Sequence, residues 1–199
     1  MKRSIILSMA ILAALLSLIA VNAHATLFTV DALTNSAGGG VGLNTGITLS
    51  TGQVFTVSAG VNDLWSAGAL PRFSNADGLV GPLFATGSDE SGQLAGTQIG
   101  ANFGTLTQNG LSAPFGALVG DINGTFFMLG TSFSGPAPNS GTLLLFYWDS
   151  NFADNSGSVL VNVSTATAAV PEPGSLFLLG SALAGLLAGR RKQYRSAAS

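Results

Sequence analysis

Hydrophobic and polar residues alternate over short stretches of this chain, and glycine, serine, threonine or asparagine interrupts them every few positions. The segment Ser158 to Val163 is the cleanest case, with Val159, Val161 and Val163 on one face and Ser158, Leu160 and Asn162 on the other. A period of two is the mark of a strand with one buried face. Similar short runs predict strands over Gln53 to Ser58, Ala117 to Val119, Thr125 to Leu129 and Thr142 to Trp148. Asn123-Gly124-Thr125 before Phe126 and Phe127 predicts a hairpin turn. Gly38-Gly39-Gly40 and the stretch Ser88 to Gly100 read as loops. No helical stripe is sustained between the two tails, so the pattern predicts an all-β domain, an antiparallel β-sandwich.

The tails break this pattern. Lys2 and Arg3 precede an apolar run from Ile5 to Val21, which ends in Ala23-His24-Ala25. Small residues at Ala23 and Ala25 suit signal peptidase, so residues 1–25 read as a signal peptide cleaved after Ala25. A retained membrane span is the alternative, since spanning takes about 20 apolar residues. At the other end, Pro171-Glu172-Pro173 forms a stiff extended handle. It is followed by a small-residue-rich apolar stretch that predicts a single transmembrane helix, and then by Arg190-Arg191-Lys192. That basic cluster would stop transfer on the cytoplasmic side. Residues 26–169 remain as one domain, with residues 170–195 as the tail signal.

Charge narrows the chemistry. Residues 26–169 hold one basic residue, Arg72, against eight acidic ones, a net charge of −7. Such a surface repels phosphate backbones, so nucleic-acid binding is not expected. The chain has no Cys, and its one His, His24, lies in the expected signal peptide. Cysteine nucleophiles, Ser-His-Asp triads and His- or Cys-ligated zinc are therefore unavailable to the domain. Adjacent Asp89 and Glu90 read as a solvated turn, because glycosidase carboxyls must face each other across a cleft. The expectation is a non-enzymatic protein.

The chemically richest stretch runs from Tyr147 to Gly157, where Asp149, Asn151, Asp154 and Asn155 fall within seven residues. In a connecting loop their oxygens can converge, and calcium takes 6–8 oxygen ligands. A polar turn in which these side chains bond their own backbone is the competing reading. Trp65, beside Asp63, reads as a core residue or a sugar-stacking platform. Of Tyr147 and Trp148, one is expected to face the interior and the other the loop rim.

Two resemblances sharpen these expectations. The order of Pro171-Glu172-Pro173, apolar span and basic cluster resembles the PEP-CTERM sorting signal. It implies recognition by an exosortase, membrane anchoring through the C-terminal helix before processing, and release to the cell surface or an extracellular matrix. Three further segments, Gly52 to Ala59 with Trp65 to Gly68, Ala113 to Ile122, and Ser140 to Ser158, together resemble the small calcium-dependent galactose-binding lectins of bacteria. That resemblance implies a jelly-roll-like sandwich and Ca2+ bridging the protein to sugar hydroxyls. Asp149, Asp154 and Asn155 would be side-chain ligands, with Asn151 and a carbonyl near it contributing, and a carbonyl near Gly68 completing the set. Asn75 or Asp77 would touch an extracellular carbohydrate, or else form an Asx turn. The loop is shorter here than in that family, and the sugar-contacting His has no counterpart, so calcium carries over better than galactose. A structural matrix protein without a ligand is the alternative.

Overall fold

The computed structural model describes residues 23–166, and the expected signal and transmembrane helices lie outside them. Fourteen strands follow one another: β1 (Ala23–Asp31), β2 (Leu43–Leu49), β3 (Val54–Ala59), β4 (Trp65–Ser66), β5 (Phe73–Ser74), β6 (Leu83–Phe84) and β7 (Gln98–Gly100), then β8 (Thr105–Gln108), β9 (Leu111–Pro114), β10 (Leu118–Ile122), β11 (Thr125–Met128), β12 (Ser132–Pro136), β13 (Gly141–Tyr147) and β14 (Ser156–Ala166). All ladders between named strands are antiparallel. No helix among the described residues is long and apolar enough to cross a membrane.

One sheet runs β12-β3-β14, with β1 on the other edge of β14 and β4-β5 continuing from its start. The second runs β11-β10-β13-β2. The pairing is nested: β1 meets β14, β2 meets β13 and β3 meets β12. Between the sheets one core gathers Val159, Val161 and Val163 of β14 with Phe55 and Val57 of β3, against Leu118 and Ile122 of β10 and Leu143, Leu145 and Tyr147 of β13. The alternation in β14 therefore has the face assignment its sequence predicts.

The second sheet is covered on its outer face too. Ala113 of β9, Val119 of β10 and Trp148 form a second cluster, packed by Leu106, Leu111, Phe126 and Phe146. A strand buried on both faces reads as a continuous apolar run, which explains Leu143-Leu144-Leu145-Phe146-Tyr147. It also corrects the expectation for Tyr147 and Trp148: both are fully buried, one in each cluster, and neither lines the loop rim.

Other boundaries shift. The strand expected over Ala117 to Val119 runs from Leu118 to Ile122. It turns through Asn123 and Gly124, at φ 54° and 81°, into the expected hairpin. The Ser88 to Gly100 loop ends in a strand, because Gln98–Gly100 pairs with Leu83–Phe84. The β1 strand begins at Ala23, so Ala23, His24 and Ala25 pair with Ala166, Thr165 and Ser164 on the N-terminal side of the expected cleavage point.

Candidate metal and ligand site

The β13–β14 connection carries the candidate ligands, and two distant segments hold it in place. The pairs Trp65↔Gly157 and Ser66↔Ser156 fasten the start of β14 to β4, which brings the following Gly68 loop beside Asp154. Gly68 has φ +116°, which favours glycine, and its Cα stands so close to Asp154 that a Cβ there would displace the carboxylate. From the other side, residues 32–40 lie against the loop. Tyr147 N donates to Asn35 O at 3.0 Å, Ala37 N donates to Tyr147 O at 2.9 Å, and Asn155 Nδ2 donates to Ala32 O at 3.1 Å. A Cβ on Gly38 would sit 2.5 Å from the Asp149 carbonyl oxygen, and one on Gly39 would sit 2.5 Å from the Phe152 ring. Gly38 and Gly39 are thus part of the floor on which the acidic loop rests.

Within the loop, Asp149 and Asn155 are buried, at 5% and 6% exposure. Asp149 Oδ1 accepts from Ser150 N at 2.7 Å and Asn151 N at 3.4 Å. Burial pushes the Asp149 carboxyl above its ordinary range, against those backbone bonds and the Asn155 side chain, which pull it down. Asn155 Oδ1 is buried without a hydrogen-bond partner. Asn151 Nδ2 donates to Asp154 Oδ1 at 2.8 Å, while Asp154 Oδ2 lies 3.7 Å from Arg72 Nη1, with the two side chains 45% and 37% exposed. The Gly68 carbonyl accepts from Ser66 Oγ at 2.8 Å and keeps a second lone pair. The Phe152 carbonyl accepts from Asn155 N at 3.2 Å and likewise keeps a second lone pair.

The structure therefore sets Asp149 with Asn155 in the buried part of the loop and Asn151, Asp154 and Gly68 together at its exposed part, and it adds Arg72, Gly38 and Gly39 as neighbours that the sequence alone does not assign to it. A run of three glycines and a lone basic residue were the available signals. Among the described residues no group of three or more His, Cys, Asp or Glu side chains gathers, so two carboxylates supply the charge. The oxygens suit a hard cation: a buried carboxylate and an orphaned amide oxygen both gain from one, and neither has another counter-charge in contact.

Asn75 and Asp77 form the Asx arrangement, with Asp77 N donating to Asn75 Oδ1 at 2.9 Å. Asn75 Nδ2 also donates to Val61 O, and the Asp77 carboxylate accepts from Thr131 N at 2.8 Å and Thr131 Oγ1 at 2.9 and 3.0 Å. Asp77→Ala should leave the Thr131 N–H unpaired and cost roughly 1–3 kcal/mol in urea unfolding. A change below about 0.5 kcal/mol would show that this tie between loops is dispensable. Asp89 is held in a turn by Ser91 and Thr86, whose hydrogen bonds pull its carboxyl down to about 2.

Residues 169–192 match the PEP-CTERM protein-sorting motif. The chain carries an exosortase sorting signal. Pro171, Glu172, Pro173, Arg190, Arg191 and Lys192 all fall within that match and outside the described residues. The comparison with curated proteins returned no match. Among solved structures, one described as an EclA N-terminal domain, a PllA-like lectin, is similar at 22% identity and a TM-score of 0.45, over 70% of this chain and 94% of that one. Likeness at that level bears on neither the site nor its ligand.

Proposed function

We propose that this is an exported, exosortase-sorted surface or matrix protein whose domain, residues 26–169, binds carbohydrate through calcium and performs no catalysis. One observation carries the metal reading: Asp149 and Asn155 are buried in the loop with Asn155 Oδ1 unpaired, and the same loop holds Asp154 beside Gly68. Desolvated oxygens of this kind are costly unless a cation or donor takes them. Asp149, Asp154, the amide oxygens of Asn155 and Asn151, and the Gly68 carbonyl would hold the ion. Bound calcium supplies coordination positions that vicinal sugar hydroxyls can take from water. The chain's own part is to fix those oxygens on a rigid sheet end and leave Asp154 half-open at the rim. The nested pairing of β1–β3 with β14–β12 supports the jelly-roll-like wrapping expected from the lectin resemblance. The sorting motif supports delivery to the envelope, where signal peptidase and exosortase would trim the two ends and polysaccharide is at hand.

A second reading keeps the loop as a structural staple in a matrix component. It is favoured by Arg72, whose guanidinium faces Asp154 and gives it a counter-charge from the protein itself. A glycan screen run with calcium and with chelator separates the two. Calcium-dependent retention of a saccharide supports the binding module. A folded, calcium-loaded protein that retains none leaves the staple.

A further inference from the structure

Arg72 is the only Lys or Arg among residues 23–166, and it stands at the rim of the candidate site. Its guanidinium carbon lies 4.5 Å from the centroid of the Phe103 ring, a stacking contact that fixes the plane of the group. Both polar contacts run through one nitrogen: Nη1 donates to Ala67 O at 3.3 Å and faces Asp154 Oδ2 at 3.7 Å. Nε and Nη2 are thus without partners among the described residues, on a side chain that is 37% exposed. Three N–H donors are left in the fork that matches a carboxylate or other oxyanion. The rest of the domain is acidic and repels anions, so this rim is the one place where the surface offers them a counter-charge.

The geometry points to a dual role. We propose that Arg72 occupies Asp154 until calcium takes that carboxylate, and that the released guanidinium then selects an anionic group on the ligand, so that the preferred saccharide is acidic. This rests on the calcium reading above. The argument is electrostatic: a fixed cation beside Asp154 opposes a second cation there, and a carboxylate engaged by calcium no longer competes for the guanidinium.

The test uses the full chain in mild detergent, as wild type, Arg72→Gln and Arg72→Lys. Calorimetric titration with CaCl2 should show Arg72→Gln binding calcium about tenfold more tightly than wild type, the effect of removing one screened charge, with Arg72→Lys close to wild type. At saturating calcium, wild type should bind glucuronate or galacturonate at least about tenfold more tightly than glucose or galactose, and both variants should lose that preference. Thermal melting confirms that each variant is folded, and Arg72→Lys separates charge from the planar fork if Arg72→Gln is not. Unchanged or weaker calcium binding in Arg72→Gln overturns the proposal, as does equal binding of neutral and acidic sugars by wild type. In both cases the calcium reading itself survives. If no variant takes up calcium, that reading falls and the proposal falls with it.

Discussion

Replacing Asp149 and Asp154 together with alanine is expected to weaken calcium binding on the order of a thousandfold, because affinity at oxygen sites tracks the number of charged ligands. These are the only two carboxylates in the loop, and no other acid clusters with them among the described residues. In the calcium-free protein the same change has opposed effects. Asp149 is an acid raised by burial, so its removal relieves a desolvation cost and offsets the lost bonds to Ser150 and Asn151. The signature is therefore differential: wild type should gain about 2.7 kcal/mol of stability at calcium a hundredfold above Kd, and the double variant should gain none. Melting scans with and without calcium read both quantities. A double variant that keeps the calcium-dependent rise would place the ion elsewhere.

Trp65→Ala should cost about 3–5 kcal/mol, a large share of the stability of about 5–15 kcal/mol typical of such a domain. The side chain is fully buried and meets Tyr147 edge-to-face with centroids 4.5 Å apart. Its Nε1 donates to Gly116 O at 2.9 Å and Asn75 O at 3.2 Å; Asn75 O keeps the Gly78 N–H, so alanine leaves a cavity and one unpaired carbonyl, that of Gly116. Trp65 also pairs with Gly157 at the start of β14, so the loss should loosen the candidate loop and weaken calcium binding as well. Urea unfolding measures the first effect. A cost under about 1 kcal/mol would mean that the core collapses around the gap.

Part of this architecture is legible along the chain and part is not. The strands β3, β11, β13 and β14 are visible because each alternates or runs apolar for several residues between turn residues. The hairpin at Asn123-Gly124 is visible because both positions need positive φ. The same signal stands at Asn109-Gly110, at φ 50° and 80°, and marks the β8–β9 hairpin that the sequence reading passed over. Strands of two residues, such as β4 and β5, carry no period to detect, and β1 was hidden in the expected signal-peptide junction. The acidic loop was legible from its density of Asp and Asn. Its partners were not, since the approach of Gly38 and Gly68 to residues 149–154 spans about half of the chain and leaves only glycines as a trace. Burial on both faces of β13 likewise depends on β8–β9, which is why the sequence places only one of Tyr147 and Trp148 in the interior.

The most direct measurement is a calorimetric calcium titration of the wild-type full chain in mild detergent, with a melting curve recorded alongside. The account predicts one saturable site per chain and a melting temperature that rises with calcium. A cooperatively melting protein that takes up no calcium and shows no shift would contradict it, leaving a sorted structural protein with an ion-paired loop.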